Sequence, residues 1–124
     1  MLRTGSTQGF ELRIWADGGN ATVGLLGELD MVTIPTYEEG LKRLYDEGTR
    51  QVTLDLEGLT FIDSSGLSAL VASLRLFRGA GGDVVLRSPT RATAKVLEIC
   101  GLTQVFTIEG QDDRTENGQG PSQA

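Results

Sequence analysis

The sequence contains no histidine. Histidine is the commonest general base in enzymes, the central member of the serine–histidine–aspartate triad and a ligand in most zinc sites. Its absence argues against enzymes of the triad type and against nearly every zinc site. No plausible pair of base and nucleophile remains, so we expect no enzymatic activity, no catalytic residue and no bound metal.

Cysteine and long apolar runs are equally scarce. Cys100 is the only cysteine, so no internal disulfide can form, which fits a reducing compartment. No apolar run approaches the roughly 20 residues that a membrane span needs, and the first ten residues lack the apolar centre of a signal peptide. We therefore expect a cytoplasmic protein without a membrane segment, in which Cys100 is a small buried side chain.

Basic residues are outnumbered, with 11 lysines and arginines against 17 acidic residues and a formal net charge of −6. Nucleic-acid binders neutralise phosphates with a basic surface, so this charge argues against a nucleic-acid partner. A basic protein partner is compatible with it.

The length of 124 residues is that of one domain with a single modest core. We expect an N-terminal extension at 1–9, the folded domain at 10–108 and a tail at 109–124. The tail reads "EGQDDRTENGQGPSQA" and holds four acids but no large apolar side chain. This composition predicts a disordered acidic tail.

Strand-like and helix-like segments alternate along the domain. The strand-like segments are "FELRIW", "ATVGLLG", "QVTLDL", "DVVLR" and "QVFTI". The helix-like segments are "TIPTYEEGLKRLYDEG", the second half of "FIDSSGLSALVASLRLF" at 61–77, and "SPTRATAKVLEIC". This alternation predicts an α/β fold: a mixed, largely parallel sheet of about four to five strands with helices packed on it.

The second helix has two distinct faces at 100° per residue. A core stripe is predicted for its large apolar side chains, Leu67, Leu70, Val71, Leu74 and Phe77. The opposite row is small or apolar and uncharged, and it consists of Ser65, Ala69, Ala72 and Leu76. Such a strip is suited to docking another protein. The alternative is that Leu76 packs under a neighbouring helix and the alanines merely favour helicity.

Ser64 and Ser65 stand where a strand leads into this helix. Backbone N–H groups at a helix start need an acceptor, so one of these serines is expected to be the N-cap. The same groups and the helix dipole also favour a phosphate. Two roles therefore remain possible for this pair of serines: the N-cap of the helix and a phosphorylation site.

Three segments together resemble the anti-sigma factor antagonists of the STAS domain family. They are "GELD" at 27–30, "LDLEGLTFIDSSGLSALV" at 54–71 and "SPTRATAKVLEICGLTQVF" at 88–106. The D-S-S-G motif, in order with the other two segments, is the most specific feature. The resemblance covers 10–108 and implies a single STAS-like domain.

The resemblance implies a regulatory protein that switches partners. An anti-sigma factor with a histidine-kinase-like ATPase fold would bind either a sigma factor or this protein, and would phosphorylate the first serine of the motif, Ser64. A metal-dependent serine phosphatase would reverse the step. ATP and magnesium would belong to the kinase, so no cofactor is expected on this chain.

Four residues around Ser64 are candidate partner contacts by the same resemblance. Asp30 is expected to contact the kinase or orient the loop, and its alternative is a solvated acid ahead of the first helix. Asp63 is expected to stabilise the helix dipole, a structural role, and to add to the local electric field. Ser65 is expected to combine a cap with a docking contact. Gly66 either lets a nucleotide approach closely or is a packing glycine.

Two other functions remain open at this stage. The chain could be a STAS-type adaptor that docks permanently on a membrane-transport ATPase, with Ser64 unphosphorylated. It could also be a small-molecule enzyme or nucleotide binder, which the lack of a base–nucleophile pair disfavours.

Overall fold

The computed structural model describes residues 2–110. The strands are β1 (Leu2–Thr7), β2 (Phe10–Asp17), β3 (Asn20–Leu29), β4 (Gln51–Asp55), β5 (Leu59–Ile62), β6 (Asp83–Arg87) and β7 (Thr107–Glu109). The helices are α1 (Ile34–Asp46), α2 (Ser64–Gly79) and α3 (Arg91–Ile99), and a short 3-10 turn spans Leu102–Gln104. Within this part of the chain, no helix combines the length and apolar character that crossing a bilayer requires. Glu109, the first residue of the predicted acidic tail, belongs to β7, and the tail lies outside the described residues from position 111 onward.

The strands form one mixed sheet in the order β1-β2-β3-β4-β6-β7, with β5 also paired to β3. The pairs β1–β2 and β2–β3 are antiparallel, and all the others are parallel. The predicted α/β class and mixed sheet are confirmed, but the strand count of four to five was too low. The two missed strands are β1, which lies in the predicted N-terminal extension, and the four-residue β5.

The three helices pack on one face of the sheet. The chain passes from β3 through α1 to β4, from β5 through α2 to β6, and from β6 through α3 to β7, stepping in the same direction each time. Right-handed crossovers then place all three helices on the same side. The burial pattern agrees, because fully buried residues alternate with partly exposed ones along β2, β3, β4 and β6. The opposite side, which we call the open face, carries none of the helices formed by residues 2–110.

A bulge in β3 creates the position of β5. Gly27 has φ +99, and a Cβ there would lie 2.1 Å from the carbonyl oxygen of Gly9. Only glycine combines this backbone conformation with so close an approach. After the bulge the pairing register shifts, so that Leu29 pairs with Ile62 of β5 rather than with β4. The end of β5, from which α2 begins, is thereby held beside the end of β3.

Helix α2 is rotated relative to the prediction. Its buried residues are Gly66, Ala69, Leu70, Ser73, Leu74 and Phe77. Leu67 and Val71, predicted as core, are only half-buried. The prediction that Ala69 faces solvent is wrong, because this residue is only 5% exposed.

A buried hydrogen bond explains part of this rotation. Tyr37 of α1 and Ser73 of α2 join through their hydroxyls at 2.8 Å, and Ser73 Oγ also donates to the carbonyl of Ala69. Burial raises the pKa of Tyr37 well above its usual value, so the phenol stays protonated in the fold. The small residues of α2 therefore face α1 and the sheet, where the backbones come close.

Candidate functional site

The ends of β3 and β5 bring Asp30 and Asp63 to the same edge of the sheet. Leu29 and Ile62 are paired across the two strands, and the Asp63 N–H donates to the Leu29 carbonyl at 3.3 Å. The acids that follow these paired residues are thus neighbours. The carboxyl ends of parallel strands are a common place for binding sites in α/β sheets. The D-S-S-G motif lies at this edge.

Asp63 is the N-cap of α2. Its backbone is extended, with φ −102 and ψ −175, and its carboxylate accepts a hydrogen bond from the Gly66 N–H at 2.9 Å. The expectation that Ser64 or Ser65 caps the helix is therefore wrong. The acid also complements the positive end of the helix dipole. The structural role considered for Asp63 is thus supported by its contacts.

We expect Asp63→Ala to lower the free energy of unfolding by about 1 to 2 kcal/mol, because the Gly66 N–H loses its acceptor. Asp63→Asn should recover most of this loss, since an asparagine oxygen caps nearly as well. Urea unfolding of the two variants measures the difference. Equal losses would show that the negative charge, and not the capping hydrogen bond, supplies the stabilisation.

Ser64 is the first residue of α2 and is exposed. Within the described residues its hydroxyl makes no hydrogen bond, because the capping position is already taken by Asp63. Ser65 is half-buried. Of the two serines, Ser64 is the one whose hydroxyl an enzyme could reach without disturbing the fold.

Gly66 is a packing glycine. A Cβ at this position would lie 2.6 Å from the Leu29 carbonyl oxygen and 2.7 Å from Cγ1 of Ile62. The residue is buried in the helix. Of the two alternatives for Gly66, these distances support the packing glycine, which brings α2 close to the ends of β3 and β5.

Asp30 organises the loop between β3 and α1. Its Oδ1 accepts from the backbone N–H groups of Val32 and Thr33, at 3.0 and 3.1 Å. Thr33 in turn donates through its hydroxyl to the carbonyl of Glu28 at 2.8 Å. Of the two expectations for Asp30, orienting the loop is the one that its contacts support. The loop presents Met31 and Val32, which are 73% and 74% exposed.

A groove of about 420 Å³ runs from Ser64 along α2 toward the end of α3. We call it the α2–α3 groove, and its lining residues are Ser64, Leu67, Ser68, Val71, Ala72, Arg75, Cys100 and Leu102. Arg75 is the only charged residue in this lining, and it has no ionic partner among residues 2–110. Cys100 is exposed, so its expected burial is wrong.

The groove and the predicted docking strip overlap only in part. Ala72 lies in the groove, and Leu76, one turn further, is 40% exposed beside it. Ala69 is buried, so it does not belong to a freely accessible strip, and Ser65 is half-buried. Sequence reasoning missed the other lining residues because half-buried Leu67 and Val71 carry the same periodic signal as a core.

The acidic side chains of the described residues do not form a metal site. Among residues 2–110, no group of three or more histidine, cysteine, aspartate or glutamate side chains could hold a metal ion. Asp55 instead accepts a hydrogen bond from Arg87 at 3.2 Å and from the Glu57 N–H at 3.0 Å.

Comparison with known proteins finds a matching family and similar folds. A sequence model of the STAS domain matches residues 15–113. The anti-sigma-B factor antagonist of Staphylococcus aureus strain NCTC 8325 is 29% identical over 82 residues, which cover 66% of this chain and 76% of that protein. An anti-sigma factor antagonist from Mycobacterium paratuberculosis superimposes with a TM-score of 0.74 at 23% identity, covering 85% of this chain and 89% of that one. The phosphorylated form of the Bacillus cell fate determinant SpoIIAA gives a TM-score of 0.63 at 22% identity, over 80% and 89% of the two chains.

Proposed function

Because the chain belongs to the STAS domain family, we propose that it is an anti-sigma factor antagonist whose docking on an anti-sigma factor is ended by phosphorylation of Ser64. The anti-sigma factor would be a serine kinase with a histidine-kinase-like ATPase fold, and a serine phosphatase would restore the free hydroxyl. The names of the relatives support the antagonist role. This chain would bind, accept a phosphate and release its partner in the cytoplasm, without catalytic groups of its own.

The exposed hydroxyl of Ser64, which makes no hydrogen bond to any of residues 2–110, carries the proposal. It stands at one end of the α2–α3 groove, while the side-chain capping hydrogen bond of the helix is supplied by Asp63. A phosphate could therefore be added and removed without breaking a contact on which the fold depends. A neutral hydroxyl in the same position can be buried under a partner at small cost.

Electrostatics explain how a phosphate would end the contact. Phosphorylation adds about −1.5 to −2 charge, beside the carboxylates of Asp63 and Asp30 at the same edge of the sheet. A partner surface fitted to the neutral serine lacks a counter-charge for the phosphate. Desolvation and like-charge repulsion of about 3 to 4 kcal/mol would then weaken binding several hundredfold. The helix N-terminus tolerates the phosphate in the free protein.

We propose that the partner covers the α2–α3 groove and the exposed loop beside it. Apolar walls from Leu67, Val71 and Ala72 would take apolar side chains, and Arg75 would pair with an acidic one. Met31 of the loop would extend the apolar contact beyond Ser64. Ser65 and Asp30 would contribute at the margin of this surface.

Incubation with ATP and the candidate anti-sigma factor kinase from the same genome tests the function. We expect one phosphate, located on Ser64 by mass spectrometry, on the wild type and on Ser65→Ala, and none on Ser64→Ala. Transfer to Ser65 instead would overturn the assignment. Stable docking without any transfer would favour the adaptor of a membrane-transport ATPase.

Leu76→Lys is expected to weaken kinase binding about tenfold by placing a charge beside the groove. The free energy of unfolding should change by less than about 1 kcal/mol, since the side chain is already 40% exposed. Calorimetric titration and urea unfolding measure the two quantities. Leu2→Lys, at a residue that is 48% exposed on β1, is the matched control and should leave binding unchanged. Equal damage by Leu76→Lys to binding and stability would identify Leu76 as core.

A further inference from the structure

The open face of the sheet contains a pocket of about 300 Å³ around Trp15. Arg13, Gly24 and Asp55 form a row across β2, β3 and β4, and Trp15 stands two residues from Arg13 on the same face. A Cβ at Gly24 would meet no atom nearer than 3.8 Å, so packing does not require a glycine there. The missing side chain leaves a notch between Arg13 and Asp55. Trp15, 51% exposed, forms one wall of the pocket.

The charges of this pocket leave one carboxylate unmatched. Arg13 donates to Glu11 at 3.1 Å, and Arg87 donates to Asp55 at 3.2 Å. Glu57 also lines the pocket, and within residues 2–110 it has no ionic partner. The pocket thus combines a half-exposed tryptophan with a carboxylate that has no ionic partner among the described residues.

We propose that the Trp15 pocket binds an arginine side chain from a basic segment of a partner protein. The planar guanidinium stacks on an indole face and pairs with a carboxylate at the same time, which an ammonium does less well. Trp15 supplies the face, Glu57 the counter-charge, and the notch at Gly24 the space for the arginine stem. The net charge of −6 further favours approach of a basic segment.

This surface lies on the side of the sheet opposite to the helices, so it is separate from the α2–α3 groove. A protein bound there and an anti-sigma factor on the helices do not compete for space. The chain can therefore hold two proteins at once, and the second contact is independent of the phosphorylation state of Ser64.

Trp15 is the only tryptophan, so tryptophan fluorescence, excited selectively over the two tyrosines, reports on this pocket alone. The probe is a short capped arginine–glycine repeat peptide, compared with the same peptide carrying uncharged citrulline. We expect a saturable change of the Trp15 emission with the arginine peptide and none with the citrulline peptide. Glu57→Gln should weaken binding about fivefold at low salt, and the matched control Glu38→Gln on α1 should not change it.

Equal responses to the two peptides, or an unaltered affinity of Glu57→Gln, would overturn the proposal. Sedimentation velocity tests a different occupant of the same surface. A dimer that Trp15→Glu converts to a monomer would assign the open face to a second copy of the chain and would also overturn it.

Discussion

Ser64→Asp is expected to weaken the complex with the anti-sigma factor about tenfold, and phosphorylation of Ser64 several hundredfold. The difference follows from charge, because an aspartate adds one negative charge and a phosphate about two. Both changes place an anion at the end of a groove in which Arg75 is the only charged lining residue. Calorimetric titration of the unmodified, substituted and phosphorylated chains with the anti-sigma factor measures the effect.

The same series separates function from fold. Ser64→Ala should bind as tightly as the wild type and unfold within about 0.5 kcal/mol of it, because the serine hydroxyl bonds to no other described residue. A phosphorylated chain that binds as tightly as the unmodified one would contradict the proposed release. A large loss of stability in Ser64→Ala would instead show that the hydroxyl caps the helix in solution.

Gly66→Ala should destabilise the fold by about 2 to 3 kcal/mol, the largest stability effect that we predict. The new Cβ would lie 2.6 Å from a backbone oxygen and 2.7 Å from Ile62, so α2 must move away from the ends of β3 and β5. Because Ser64 begins this helix, binding to the anti-sigma factor should fall as well. Urea unfolding with an unchanged m-value measures the loss of stability.

Gly79→Ala is the matched control, since Gly79 closes the same helix and a Cβ there meets no atom within 4 Å. It should leave stability unchanged or raise it by up to about 1 kcal/mol through better helix propensity. If both substitutions had the same small effect on stability, the tight packing around Gly66 would be contradicted.

The site was only partly predictable, and the start of α2 shows why. Asp63, Ser64 and Ser65 are all good capping residues, so composition alone cannot choose among them. The choice is made by the backbone: Asp63 is extended and outside the helix, because β5 is held in register with β3 as far as Ile62. This leaves the Ser64 hydroxyl without a hydrogen bond to any described residue, which is the basis of its proposed regulation.

The sequence by itself determined the α/β class, the order of the three helices and the position of the D-S-S-G motif where a strand meets a helix, because these depend on local periodicity and turn chemistry. The strands β1 and β5 became visible only in the tertiary structure, because their own patterns are weak. β1 is ordered by pairing with β2 across a tight turn, and β5 by pairing with β3, which is distant in sequence. The structure also decided which side of α2 is buried. Periodicity marks large apolar side chains, whereas Gly66, Ala69 and Ser73 are buried because the helix backbone approaches α1 and the sheet most closely there.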